Sequence, residues 1–410
     1  MTSRERVLTA LDHKEPDRVP IDLSGHRSSG IAAMAYARLR DYLGLPKRTL
    51  RVYDPIQQLA IVDEDVLQIF KVDTVELGRA FALDDKYWAE WQLPDGTDCL
   101  MPVWALPRRS GEEWTFHATA TDRVLGCMPQ GVWYFEQNHF PYAESDEAPL
   151  QDAFDHCMWA VAASPPGPIV GGTDGEALLA EGARTFRAST DRAIIGLFGG
   201  NLLETGQMFY RNDNFLMLLA GEPERAHVFL DRLVEHHIRN LDRFLRAAGP
   251  HIDIILFGDD LGMQSGPQIS PSTYREFFQP RQARMWRYVK EKAPNLKIML
   301  HCCGGVRELL PGLIEAGLDM INPVQITCRG MGPAELKRDF GQRLSFWGGA
   351  CDTRHMLSNG TPEQIRDHVR ELVSIWRPGG GFIFQQVHNI MADVPPQNVV
   401  AMLNAAAEAG

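Results

Sequence analysis

Residues 301–305 read HCCGG and set three metal-ligand side chains in a row, His301, Cys302 and Cys303. Imidazole and thiolate are donors that suit Zn²⁺ and fit Mg²⁺ or Ca²⁺ poorly. The apolar run 298–300 before them reads as a strand, and side chains alternate faces along a strand. His301 and Cys303 therefore share a face with Met299, while Cys302 points the other way with Ile298 and Leu300. Gly304 and Gly305 then let the backbone turn out of the strand. A catalytic zinc ion takes three protein ligands and leaves a fourth position for water or substrate. The third ligand is expected from another strand end, and LSFWGGACDTR (344–354) offers Cys351 after an apolar strand and two glycines. Cys328, in ITCRGMG, is a rival. Cys99, Cys127 and Cys157 are expected to pack.

Other polar groups fall at similar junctions. Asp259 and Asp260 end the strand in LFGDDLG, and the same alternation turns one inward and the other outward. Asp260 is favoured as the mouth residue and catalytic candidate, and a helix-capping or loop-pinning carboxylate is the competing reading. Glu204 in GNLLETG is a candidate fourth ligand or proton acceptor. His388, at the end of FIFQQVHN, is a candidate acid or base. Gln386, Gln325 and Tyr210 are candidate substrate contacts. His236 and His237, inside a long helical pattern, are expected at the surface or in packing.

The elements that must hold these groups alternate from about residue 190 onward. Strand-like runs at 193–200, 251–260, 296–303, 318–323, 343–350 and 380–389 are each followed by an amphipathic helical pattern. Near-continuous apolar strands separated by helices imply a parallel sheet covered by helices. Two earlier runs, 17–23 and 71–78, complete eight, and no glycine-rich dinucleotide fingerprint follows an early strand. The expected fold is an α/β (β/α)8 TIM barrel, one domain over 1–410, whose catalytic groups sit where strands end. Residues 80–165 break the rhythm with Trp, Tyr, Pro and Gly and read as a β-rich insertion, a lid over the barrel mouth or an ornament beside it.

The chain has 410 residues and a formal net charge of -12, which disfavours a nucleic-acid partner because a phosphate backbone calls for clustered Lys and Arg. No apolar run is long enough to span a membrane. The first twenty residues read as a charged helix capped by Thr2 and Glu5, not as a signal peptide. Seven scattered cysteines without a secretion signal argue for a reducing, cytoplasmic setting rather than a disulfide framework.

With these residues in place, the chain resembles the uroporphyrinogen decarboxylase superfamily and its zinc methyltransferase branch. The stretches RERVLTALDHKEPDRVPID, FGDDLGMQSGPQISPSTYREFFQP, INPVQ and FQQVHNIMADVPPQNVVAML carry the resemblance. The branch's His-x-Cys motif with a distant Cys falls on His301, Cys303 and Cys351. Decarboxylases of the superfamily carry an early Arg-rich segment that holds substrate carboxylates, where LSGHRSSG (23–30) has one Arg. Their later GNLDP segment is replaced by GGACDTR. The resemblance implies a Zn²⁺ ion and methyl transfer between a small molecule (methyl ether, thiol or similar) and a corrinoid such as methylcobalamin, carried by a partner protein. It is also compatible with a homodimer. The competing readings are a porphyrinogen-type decarboxylase, which needs a cationic pocket, and a non-catalytic corrinoid-binding relative.

Overall fold

Seven short apolar runs pair side by side in the computed structural model, which describes residues 1–81, 84–119, 121–163 and 174–409. They are β1 (Thr74–Glu76), β2 (Ala193–Gly199), β3 (Ile254–Gly258), β4 (Lys297–His301), β5 (Met320–Asn322), β6 (Ser345–Trp347) and β7 (Phe382–Ile383). All are parallel and lie in chain order. The curled sheet meets residues 20–22 at both edges. Ile21 bridges Phe384 in parallel, and the Asp73 N–H donates to the Ile21 carbonyl at 2.8 Å. The runs 17–23 and 71–78 thus take the places expected of them, and the architecture is TIM-barrel-like.

Alternation divides the apolar residues into two layers. Ala193, Ile195, Ile254, Leu256, Met299, Met320, Trp347 and Ile383 point inside the curled sheet, where they meet Val7, Ala10 and Leu11 of α1 (Ser3–Leu11). That helix opens on the expected capping box of Thr2 and Glu5. It bonds to residues just before β2 and β7, Arg4 N–H to the Asp191 carbonyl and Gly381 N–H to the Ala10 carbonyl. It therefore plugs the N-terminal end of the strands. Buried carboxylates brace the same end: Asp73 pairs with Arg6 and Arg18 at 2.7 Å, and Asp253 pairs with Arg187 at 3.0 Å. The opposite end is left to the strand–helix junctions. Ile298, Leu300 and Cys302 lie in the outer layer between strands and helices.

The helices α2 (Leu203–Tyr210) and α3 (Pro223–Ala248) follow β2. The β-rich part begins earlier than the composition shift at residue 80. Leu50–Asp54 pairs with Asp98–Pro102, so the first four-stranded sheet draws strands from both sides of that boundary. A second, antiparallel sheet runs from Arg108–Ser110 to Glu136–Gln137. Of the 80–165 stretch, residues 82, 83, 120, 164 and 165 lie outside the described residues. Among the described residues no helix is long and apolar enough to cross a membrane.

Candidate metal centre

At the C-terminal end of β4 the expected alternation holds. Cys302 is buried on the outer face, where its sulfur accepts the Leu261 N–H at 3.3 Å, while His301 and Cys303 sit half-buried on the inner side. Gly304 follows with φ of 89°, and a Cβ there would lie 2.2 Å from the Gly262 backbone. Only glycine fits that turn. His301 Nε2 lies 3.5 Å from Cys303 Sγ.

The third member of the cluster is His388, not Cys351. Ligand atoms of His301, Cys303 and His388 all lie within 4.8 Å of one another, and among the described residues this is the one such group. The ring centroids of the two histidines are 5.9 Å apart. Cys351 is fully buried in the outer layer, with its thiol directed to the Asp352 carbonyl at 3.9 Å. The reason lies in Gly348 and Gly349, whose φ angles of 111° and 72° break the extended alternation that would carry Trp347's inward face on to Cys351. Cys351 nonetheless stays on the neighbouring strand end, since its carbonyl accepts the Val387 N–H at 2.8 Å. Cys328 also stays out of the cluster; it is buried and directed to Gln325 Oε1 at 3.6 Å.

Hydrogen bonds behind the two imidazoles fix their tautomers. Asn322 Nδ2 donates to the Trp347 carbonyl at 2.9 Å, and a carbonyl can only accept. Asn322 Oδ1 must therefore face His301 Nδ1, 2.9 Å away, so the proton sits on Nδ1 and Nε2 keeps its lone pair. His388 Nδ1 lies 2.9 Å from Asn389 Oδ1 in the same arrangement. The His301 Nε2 lone pair thus faces the thiol, His388 stands beside it, and a carboxamide lies behind each ring as is usual for metal-binding histidines. Burial, with His301 alongside, lowers His388 to about 4, which leaves it neutral near pH 7. Burial and the Asp260 carboxylate push the Cys303 thiol well above its ordinary range. A divalent cation reverses that second effect and deprotonates a coordinating thiol. The donor set therefore fits zinc.

The carboxylates sort as alternation predicts. Asp260 Oδ1 accepts the Cys303 N–H at 2.7 Å and lies 3.7 Å from His301 Nε2. Asp259 is buried and caps α2, accepting the N–H groups of Leu203 at 3.1 Å and Glu204 at 2.9 Å; burial raises it to about 7. Glu204 lines the same cavity as Asp260, and burial beside Asp260 and Asp259 holds its carboxyl well above the usual range. Asn201 Nδ2 donates to Glu204 Oε2 at 2.6 Å.

The three expected substrate contacts fall elsewhere. Tyr210 is buried among Tyr142, Phe215 and Phe229 and donates to Asp146 Oδ2 at 2.7 Å, because its face of α2 packs outward. Gln325 pins the turn after Cys303 by accepting the Gly304 N–H at 2.8 Å. Gln386 is fully buried, and its side-chain amide has no hydrogen-bond partner among the described residues. None of the three lines the cavity at the cluster. His237, expected in packing or at the surface, is buried in the cavity wall with Nε2 3.1 Å from the Asn201 carbonyl, and burial lowers it to about 4.

The cavity holds about 930 Å³. His301, His388, Asp260 and Glu204 lie on its wall together with Phe198, Phe209, Phe257, Trp104, Phe154 and Trp159. Sequence reasoning missed the wall residues His26 and Ser28. His26 Nδ1 lies 3.2 Å from Ser28 Oγ, which donates to Asn322 Oδ1 at 2.8 Å, so the chain ends on His301. Asn322 and Asn389 were also missed, although each lies in a quoted motif, INPVQ and FQQVHN. Their neighbours in space come from other strands.

Residues 178–409 match the profile of the uroporphyrinogen decarboxylase (URO-D) family. A methylated-thiol–coenzyme M methyltransferase of Methanosarcina mazei is 31% identical over 165 residues, which cover 39% of this chain and 40% of that protein. A uroporphyrinogen decarboxylase of Legionella pneumophila is 26% identical over 193 residues, covering 47% of this chain and 51% of that one. The chain thus spans about half or less of the length of these curated relatives. In structure, a methyltransferase from Methanosarcina mazei superposes with a TM-score of 0.60 at 17% identity, over 100% of this chain and 99% of that one, which shows a shared fold. The profile match spans more than half of the sequence, and the chain belongs to the uroporphyrinogen decarboxylase family.

Proposed function

We propose that this protein is a zinc-dependent methyltransferase that moves a methyl group between a small molecule and a corrinoid carried by a partner protein. The observation that carries the reading is the convergence of two imidazoles and one thiol, whose ligand atoms lie within 4.8 Å of one another, with both histidines on the wall of an aromatic-lined cavity. We read the fold as an eightfold barrel with residues 20–22 as its eighth strand, and the cluster as its C-terminal mouth. Residues 80–165 are proposed as the lid.

His301, Cys303 and His388 would hold the ion. A zinc ion there lowers the pKa of a bound thiol or water and polarises the atom that carries the methyl group. The chain's own residues do the rest. Asp260 fixes the Cys303 backbone and faces His301. Glu204 keeps a proton on Oε1, since Oε2 is taken by Asn201, and supplies it to the group that loses methyl. The rings of Phe198, Phe257 and Trp104 exclude water and favour an aromatic or other apolar substrate. Cys351 is the alternative third ligand, favoured by the family motif and by its place on the strand end beside His388. A decarboxylase is less well supported. Among the described residues Arg27 is the one Arg or Lys in the cavity wall, and Asp54 holds it at 3.0 Å.

Protein purified without chelator is expected to hold about one zinc per chain. It is expected to transfer methyl between free cobalamin and a thiol or methyl ether. A metal-free preparation that still transfers methyl would overturn the zinc reading. One with full zinc and no transfer to any thiol or ether would overturn the methyltransferase.

A further inference from the structure

The support behind His388 does not come from the barrel. Asn389 Oδ1, which faces His388 Nδ1, also accepts the hydroxyl of Tyr134 at 3.1 Å, and Tyr134 belongs to the 80–165 stretch. Asn389 Nδ2 donates to Gln57 Oε1 at 2.8 Å. Gln57 in turn donates to the buried Asp54 carboxylate, its Nε2 to Oδ2 at 3.1 Å and its backbone N–H to Oδ1 at 3.0 Å. A carboxylate can only accept, so each amide in this chain has one allowed orientation. Asp54 makes Gln57 Nε2 the donor, which leaves Oε1 to accept from Asn389 Nδ2. Asn389 Oδ1 is then the atom that meets both Tyr134 and His388. Tyr134 is itself tied down, because Phe135 N–H donates to the Ile56 carbonyl and Gln58 Nε2 to the Trp133 carbonyl, both at 3.1 Å.

We infer that Tyr134 is a positioning residue for the metal centre: through Asn389 it holds His388 in the tautomer and orientation that present Nε2 to the ion. The appended β-rich segment is then a working part of the site. Without the Tyr134 hydroxyl, Asn389 keeps its Gln57 anchor but loses the second donor on Oδ1, and the carboxamide and the His388 ring behind which it stands gain freedom to rotate. Partners of this kind behind a ligating histidine are typically worth about 10–100-fold in metal affinity. This inference rests on the proposed zinc site.

The test is zinc affinity by chelator competition, together with the visible spectrum of the Co²⁺-loaded full-length protein. Tyr134→Phe removes one oxygen and is expected to weaken zinc binding about tenfold and to change the Co²⁺ spectrum, with the melting temperature of the metal-free protein unchanged. Met391→Leu removes the other contact of that hydroxyl, a sulfur at 2.9 Å, and is expected to leave affinity and spectrum as in the wild type. If Tyr134→Phe matches the wild type in both readouts, or if Met391→Leu is equally weakened, the positioning role is wrong and the zinc reading stands. If the wild type binds neither zinc nor Co²⁺, both fall.

Discussion

His301 and His388 meet at one point and are held by the same device, a carboxamide oxygen behind Nδ1, yet the anchors differ. Behind His301 the anchor is the barrel itself, since Asn322 ends β5 and its amide is oriented by the Trp347 carbonyl at the end of β6. Behind His388 the anchor is borrowed: Asn389 is oriented by Gln57 and Tyr134, which lie outside the parallel sheet. One half of the centre is therefore built when the strands pair. The other half also leans on Gln57 and on Tyr134 of the β-rich segment.

The largest effects should come from the built half. His301→Ala or Cys303→Ala is expected to reduce zinc from about one ion per chain to near zero, measured by metal analysis. His388→Ala is expected to weaken binding strongly without abolishing it, while Cys351→Ala leaves affinity unchanged. The reverse ranking would replace His388 by Cys351 as the third ligand. One step smaller are the carboxamides, with Asn322→Ala and Asn389→Ala each costing about 10–100-fold in zinc affinity. The two should separate when the β-rich segment is disturbed: Tyr134→Phe adds nothing to Asn389→Ala and its full effect to Asn322→Ala.

How far the sequence reaches follows the same division. The face assignment of His301, Cys302 and Cys303 was legible because a strand's period of two is local and β4 obeys it up to His301. Asp260 on the cavity side was legible for the same reason, whereas the capping of α2 by Asp259 depends on a helix that follows a different strand. Cys351 was expected beside His301 and Cys303 and lies outside their cluster, because two left-handed glycines, 348 and 349, end the strand alternation before it. Tyr210 was misread because a helix following a strand end has one face toward the mouth and one toward the core, and Tyr210 lies on the second. The β-rich boundary at 80 missed the Leu50–Asp54 strand because its partner, Asp98–Pro102, is distant in sequence.

The pH dependence of binding sharpens the ligand set further. Burial raises the Cys303 thiol, so loading must displace its proton throughout the neutral range, and zinc affinity should rise about tenfold per pH unit between pH 7 and 9. A hundredfold rise would mean two thiols lose protons, which is the signature of Cys351. His388 acts in a different window. Its folded pKa of about 4 lies below the ordinary histidine value, so metal-free protein should lose stability as pH falls from about 6.5 toward 4, where the unfolded chain takes a proton that the folded one refuses. Denaturant titrations of wild type and His388→Gln across that range measure it. The smallest effect is expected at the bystander. Cys302→Ser should keep its zinc and lose about 1–3 kcal/mol of stability, because a hydroxyl replaces a thiol in an apolar layer.

Zinc K-edge X-ray absorption of protein purified without chelator tests the central claim most directly. Two histidines and one cysteine predict a first shell with one sulfur at about 2.3 Å and nitrogen or oxygen neighbours at about 2.0–2.1 Å, lost in Cys303→Ala. A shell with two sulfurs, or a protein that carries no zinc, would contradict it.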